Sequence, residues 1–432
     1  MSSVTDSGGI NTDRGLVRIN GYLGGADTYE QTTFIEITLT ESLLTPGLQT
    51  SATFQSQIYG NKKFKDWQQT KNQYIQLQLS DRLAMESQGQ QGREMFVRQR
   101  VYRLDNREFN PHNLSNVEEM TFHACDDSLL QDAQKLVSKS WKCTTPNEVV
   151  NYVLSSCLQQ SGTNGQSKFN LDVQTCQPPR DYIAESIHPF QVIAQQANMA
   201  LDGDDPSFIH YMTYGKDSDW TPIHHFRSLK DLCKQTANIT FIHGETSVRG
   251  QIDYNNRDQT ISQKKNERQV LHFKFPCDYD LLSDLLNGLD ENGKNINSVA
   301  TGNPFNSSGS YDNGNMQGCI RNGNLKISLS NKGTAQQKGG CETDVEKYLL
   351  RRQARMALLE KDKVALRLVV AWEPSLHAGD VIKFTWKDKY GGPDLYGTGT
   401  YLIASMTHRI QMGGYATTAL DCVSTTVGQG IV

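Results

Sequence analysis

Apolar residues at every second position mark both ends of this chain, and that period of two constrains the fold more than any other feature. Towards the C-terminus, "LHAGDVIKFTWKD" carries a small turn, Ala378-Gly379-Asp380, into an alternation that puts Ile382, Phe384 and Trp386 on one face of an extended segment. Further on, "GTYLIASMTHRIQMGGYATTALDC" sets Leu402, Ala404, Met406, His408 and Ile410 on one face. It then turns at Gly413-Gly414 and returns with Ala416, Thr418, Leu420 and Cys422. The pattern predicts a hairpin, with Ile382, Phe384 and Trp386 as one wall and Leu402, Met406 and Leu420 as the facing wall. The N-terminal part repeats the period. "FIEITLTESL" alternates through Ile35, Ile37 and Leu39, "YIQLQLS" through Ile75, Leu77 and Leu79, and "EEMTFHAC" through Met120, Phe122 and Ala124. Such strands, separated by Gly, Pro, Asn and Asp turns, predict an antiparallel barrel or sandwich.

Between the two strand-rich zones the period lengthens. In "TTPNEVVNYVLSSCLQQSG", Thr145 stands as N-cap, Pro146 at the first helical position and Glu148 three residues after the cap, which is a capping box. Val150, Val153, Leu154, Cys157 and Leu158 form the apolar stripe of the helix that follows, and Gly162 can stop it. "HPFQVIAQQANMAL" repeats the device, with Pro189 near the start and Phe190, Ile193, Ala194, Ala197 and Leu201 inward.

At 432 residues the chain has room for two to four domains of roughly 150 residues each. Its segments read as a polar tail (1–13), a first strand-rich domain (14–125), a mixed α/β domain (126–250), a strand and helix contributing to a second strand-rich domain (251–286), an Asn/Gly-rich surface insertion (287–341), and a helix followed by the rest of that second domain (342–432). The fold class is α+β and multidomain. Charged residues make up 21% and the net charge is −4, so no overall basic balance marks a nucleic-acid or membrane-surface binder. The opening "MSSVTDSGGINTDRG" has neither a cationic n-region nor an apolar h-region, and no run of about 18 apolar residues occurs, so an aqueous setting without stable membrane insertion is expected.

Candidate chemistry fails on spacing or isolation. The nine cysteines form no C-x-x-C pair, which disfavours zinc and iron–sulfur sites; reduced thiols are expected, with Cys319 and Cys341 the one pair close enough in a polar stretch to fold together. His210, His224 and His225 lack the helical spacing of a zincin and read as structural. "DENGKN" (290–295) places its glycine fourth rather than sixth, unlike a calcium loop. "DGDDP" (202–206) has carboxylates but no ligand frame. "GTGTYL" has Leu402 where a dinucleotide fingerprint needs its third glycine. The run Arg351-Arg352 with Arg355 reads either as a helix face paired with Glu346 and Glu360, or as a weak phosphate contact facing a lumen. No carboxylate pair is nominated for glycan cleavage. No catalytic residue, cofactor or metal is therefore assigned.

The order of elements is more specific than any single motif. A helix, a strand, a Leu-x-x-Gly-Asp turn, a strand, Tyr-x-Ile, a His, a Gly-Tyr-x-Thr turn and a last strand resemble the closing barrel of baseplate hub proteins from contractile-tailed bacteriophages. The residues that carry the likeness are Leu376, Gly379, Asp380, Tyr401, Ile403, His408, Gly414, Tyr415 and Thr417. "FIEITLTESLLTPGLQTSATF" and "HPFQVIAQQANMAL" resemble the same family in the same order, over residues 30 to 286 and 342 to 426.

The resemblance implies two tail-tube-like antiparallel β-barrels in one chain and a structural, non-enzymatic virion protein. A homotrimer would then present six barrels in a ring and join a sixfold tail tube to a threefold central spike. It further implies, as partners, the spike protein, a tail tube or tube-initiator protein, wedge or other baseplate proteins and the tape measure protein, with at most transient contact with passing DNA. The implied location is the virion tail baseplate, and the host cytoplasm during assembly. Two other readings stay open: a type VI secretion-like spike hub, and a β-sandwich tail enzyme acting on host glycan.

Overall fold

A computed structural model describes residues 17–23, 32–57, 74–81, 94–109, 117–158, 169–203, 205–215, 221–237, 239–243, 267–275, 366–386, 397–411 and 416–423. The tail, the insertion, Cys319 and Cys341, "DENGKN", the Arg351 helix, Gly414 and Tyr415 lie outside the described residues. What is described is mostly β-sheet with a few short helices.

The N-terminal strands are β1 (Val17–Leu23), β2 (Thr32–Ser42), β3 (Gln49–Gln57), β4 (Tyr74–Asp81), β5 (Glu94–Phe109) and β6 (Val117–Cys125). They pair antiparallel in the order β1-β4-β5-β6-β3-β2. The alternation explains their curl around a core: Ile37, Leu39, Ala52, Ile75, Leu77, Leu79, Val97, Phe122 and Ala124 all point into one cluster.

The middle of the chain adds β7 (Val137–Thr144), β8 (Asn170–Val173), β9 (Arg180–Ile187), β10 (Phe208–Thr213) and β11 (Ile223–Ser228). They form a two-stranded ribbon, β7-β9, and a three-stranded sheet, β10-β11-β8. Helices α1 (Asp127–Gln134), α2 (Pro146–Tyr152), α3 (Pro189–Met199) and α4 (Leu229–Leu232) belong to the same part. The capping box at α2 closes, with the Glu148 carboxylate accepting from the Thr145 N–H at 3.1 Å. Beyond Tyr152 the coil widens into a π-helical stretch, Val153–Leu158. There the Ser155 hydroxyl donates to the Asn151 carbonyl and Lys135 Nζ donates to the Cys157 carbonyl at 2.5 Å, competing with the regular ladder. Along α3 the inward residues are Phe190, Val192, Ile193, Gln196 and Ala197, whereas Ala194, expected inward, is exposed. Cys125, Cys157, Cys176, Cys233 and Cys422 are not disulfide-bonded. Cys143 departs from the expected reduced state: it is disulfide-bonded.

The C-terminal strands are β12 (Thr240–His243), β13 (Glu267–Lys274), β14 (Leu366–Ala371), β15 (Val381–Trp386), β16 (Gly399–Gln411) and β17 (Ala416–Val423). Their pairing runs β16-β15-β12-β13-β14-β17, and β17 pairs again with β16. Phe241, Leu366, Leu368, Ile382, Phe384, Met406 and Leu420 fill the cluster these strands surround, each side chain contributing on the order of 1.5–3 kcal/mol by burial.

Three features differ from the sequence reading. Thr240–His243 was placed in the middle domain, yet it pairs in parallel with both β13 and β15, so this part is not wholly antiparallel. The two strand-rich zones were expected as separate barrels. Instead β2 continues onto β16, from Glu36↔Gln411 to Ser42↔Ser405, and all these strands join in one 12-stranded sheet in which no β1–β2 pairing closes the N-terminal part among the described residues. Finally, a bulge between Ile403 and Ser405 inverts the facing of β16. Met406, His408 and Ile410 share a face as expected, but Leu402 and Ala404 turn away from the cluster around Leu420 and pack with Leu43, Tyr211 and Val381.

Candidate functional site

The Leu-x-x-Gly-Asp turn lies where the two strand-rich parts meet the middle of the chain, and a buried carboxylate holds the three together. Glu41, near the end of β2, is 1% exposed. Its carboxylate accepts from the Tyr214 N–H at 2.8 Å and the Ala378 N–H at 2.8 Å, and lies 3.0 Å from His377 Nδ1. One side chain thus ties residues 41, 214 and 377–378. Burial alone would push the Glu41 carboxyl up. The His377 imidazole and the two backbone donors outweigh it and hold the group below the ordinary carboxylate range.

The turn is built for this junction. Asp380 Oδ2 accepts from the His377 N–H at 2.8 Å, the Gly379 N–H donates to the Ile403 carbonyl at 2.9 Å, and the Ile403 N–H returns to the Asp380 carbonyl at 2.9 Å. Gly379 has φ +93°, a conformation that favours glycine. Gln235 Nε2, from beyond α4, donates to the Gly379 carbonyl at 3.1 Å. Leu376 enters the C-terminal core, and the Tyr401 hydroxyl donates to the Gly397 carbonyl at 2.8 Å. His408 is buried, with Nδ1 2.9 Å from Thr418 Oγ1. Burial lowers its pKa to about 4, so the ring is neutral. Leu376, Gly379, Asp380 and Ile403 are therefore brought together, while His408 and Thr417 sit further along the β16–β17 pair.

Residues from β10 and just beyond it enter this junction like a tongue. Tyr211 joins the cluster of Leu43, Val381 and Leu402, whereas Met212 and Tyr214 join the N-terminal core. The Tyr214 hydroxyl is 3.3 Å from Thr50 Oγ1 and donates to the Gln49 carbonyl at 3.3 Å. Glu41, Tyr211, Tyr214 and His377 were not singled out from the sequence. A signal for Glu41 was present: it shares the parity of Ile37 and Leu39, so an acid occupies an inward position on an apolar face.

The histidines of β10 and β11 form a second polar group. His210 Nε2 is 3.0 Å from His224 Nδ1, and burial drives both pKa values down, that of His210 to about 3. His225 lies between Asp172, 2.8 Å from Nδ1, and Thr213 Oγ1, 3.0 Å from Nε2. The chain Asp–His–hydroxyl has the geometry of a charge relay, but Thr213 is 2% exposed, which leaves its hydroxyl without access to a substrate. Among the described residues no three His, Cys, Asp or Glu side chains converge as a metal site.

The outward face of the joined sheet carries small and hydroxyl side chains in register. One row runs Ala371–Thr417–Arg409–Thr38–Ser51–His123–Arg103, crossing from β14 through β17, β16, β2, β3 and β6 to β5. Its arginines have acid partners on the same face, Arg409 with Glu36 and Arg103 Nε with Asp105 at 2.8 Å, and His123 Nε2 lies 3.2 Å from Asp105 Oδ2.

No family model matches the chain, and no curated protein does. Solved structures do. The tail protein from Neisseria meningitidis MC58 aligns with 94% of this chain and 96% of its own at 9% identity and a TM-score of 0.50. The 43 kDa tail protein of prophage MuSo2 from Shewanella oneidensis aligns with 95% and 98% at 9% identity and a TM-score of 0.48. The E. coli c3393 protein, a type VI secretion component described as similar to the T4 tail proteins gp27 and gp5, aligns with 96% and 79% at 9% identity and a TM-score of 0.49. At these identities the likeness, carried by the Neisseria tail protein, is one of fold.

Proposed function

We propose that this chain is a baseplate hub: a structural tail protein that trimerises into a ring and joins a sixfold tail tube to a threefold central spike. The observation that carries the reading is the single sheet that runs from one six-stranded part into the other through β2 and β16. Two such units per chain make six in a trimer, which is what a threefold-to-sixfold adaptor requires. The fold shared with a tail protein along 94% of the chain supports the same reading.

The outward row, with Ala371, Thr417, Thr38 and Ser51 between acid-paired arginines, suits the wall of a bore, since small side chains and arginines already paired with acids offer a passing polyanion little to grip. In this assignment the spike protein, the tube or tube-initiator protein, wedge proteins and the tape measure protein are the partners. The chain works by surface complementarity rather than catalysis, which agrees with the burial of Thr213 at the end of the Asp172–His225 relay. Electron-microscope averages of the assembled hub, viewed down its axis, should contain six similar lobes around an open bore. A particle with a filled centre, or with three lobes only, would overturn the proposal.

A further inference from the structure

Two faces of the chain, distant in sequence, carry exposed side chains in opposite order. The first is the outer face of the β7–β9 ribbon. Trp141, Tyr182 and Ala184 fill its inner face against the helices. Outward along β9 stand Glu185, Ile183 and Asp181, all exposed, and Lys142, also exposed, lies beside Asp181 at the tip of the ribbon. Ile183 is 64% exposed, an apolar side chain between two carboxylates. Ser138 and Ser140, opposite Glu185 and Ile183, are small enough to leave that row standing clear.

The second is the outward face of β5. Val97, Gln99 and Val101 point into the core, so Arg98 and Arg100 point out. A bulge after Val101 keeps both Tyr102 and Arg103 on the outside, with Tyr102 50% exposed. Arg98 is exposed; Arg100 is half-buried, 3.9 Å from Asp127. Their guanidinium groups share the Tyr74 ring, at 4.9 and 5.9 Å from its centroid. Stacking on a ring holds a guanidinium in place while its in-plane donors stay available at the rim. Past Tyr102 comes Arg103, then Asp105.

Read from Glu185, the ribbon is acid, apolar, acid, base. Read from Arg98, β5 is base, aromatic, base, acid. Side chains two apart on a strand are about 6.6 Å apart, so the two orders match in one register. With Ile183 laid on Tyr102, Glu185 meets the stacked guanidinium pair, Asp181 meets Arg103, and Lys142 meets Asp105. Both faces are exposed within one copy, so they do not meet inside it. Arg103 also ends the outward row, where the wall of a bore passes from one copy to the next. We propose that the outer face of the β7–β9 ribbon in one copy docks on the outward face of β5 in a second copy of this chain. Two different faces make a head-to-tail contact, which closes into a ring when its rotation allows. That it closes at three rests on the hub assignment.

The test uses the purified full chain with p-benzoylphenylalanine in place of Ile183, mixed with heavy-isotope wild-type chain, irradiated, and read by mass spectrometry of the linked peptides. Links should join position 183 to the heavy peptide that contains Tyr102. Arg98→Glu alone, or Glu185→Lys alone, places like charges together and should cut the yield about tenfold or more. Both substitutions in every copy restore opposite charges at each contact and should restore the link. No link to β5, or a double variant no better than the singles, overturns the proposal. Should a charge variant not fold, the crosslink in the otherwise unchanged chain decides alone. Native mass spectrometry of the same samples separates this contact from the hub assignment: three copies without the link overturn the contact only, whereas the link with a copy number other than three overturns the assignment and leaves the contact standing.

Discussion

Gly379 is where the junction is most exposed to a single change, and its replacement by alanine can be worked through. The backbone there has φ +93°, which a residue with a Cβ reaches at a cost of roughly 1–2 kcal/mol. The added Cβ would also lie 2.6 Å from the Tyr211 hydroxyl oxygen and 3.1 Å from its ring Cζ. Tyr211 has little room to retreat, being 2% exposed and stacked on His225 at 4.7 Å between ring centroids. Overpacking of this kind costs about 1–3 kcal/mol, so Gly379→Ala should lose about 2–5 kcal/mol in total. Gly379→Val adds branching at the same point and should abolish ring assembly. Urea unfolding of the wild type, Gly379→Ala, Tyr211→Phe and the double variant separates the two contributions. Tyr211→Phe removes the oxygen nearest the new Cβ, so the double variant should be more stable than additivity allows by about 1 kcal/mol or more. An alanine variant within about 0.5 kcal/mol of the wild type, or strict additivity, would refute the account of the turn.

Other perturbations test neighbouring parts. Glu41→Ala leaves His377 and two buried N–H groups without their acceptor and should cost about 3–5 kcal/mol, read as a fall in the urea midpoint; a loss under about 1 kcal/mol would mean the carboxylate is dispensable. His210 and His408 have pKa values of about 3 and about 4 against an ordinary 6.5, so the unfolded chain takes up protons that the folded one refuses as pH falls. Stability should be whole above about pH 6.5 and decline toward about pH 4 by roughly 1.4 kcal/mol per pH unit for each histidine. His408→Gln should remove one histidine's share of that slope, and a flat profile in the wild type would contradict the burial argument. Replacing most of residues 287–341 by a short Gly/Ser linker should leave folding and trimer formation unchanged; loss of soluble protein would show that the segment carries core residues.

Much of the sheet was legible because alternation is a local property. Ile37 and Leu39, Leu77 and Leu79, Phe122 and Ala124, and Ile382 and Phe384 all face inward as their spacing requires. The alternation in β16 gives the wrong face before Ser405, because a bulge adds a residue without any local mark and so exchanges the faces of Leu402 and Ile403. "TFIH" carries no mark of the C-terminal sheet, because four residues are too few to carry a period and its parallel partners lie far off in sequence. The junction was half legible. The glycine in the turn at 376–380 stood out by its residue type, but Glu41, Tyr214 and His377 meet through contacts spanning more than a hundred residues, which no window of sequence contains.

The central claim is that this chain works as a threefold ring. Native mass spectrometry of the purified chain, alone and after co-expression with its spike protein, tests it most directly. The account predicts three copies of the chain bound to one spike trimer. A complex with one or two copies of the chain, or a chain that remains monomeric with the spike present, would contradict it.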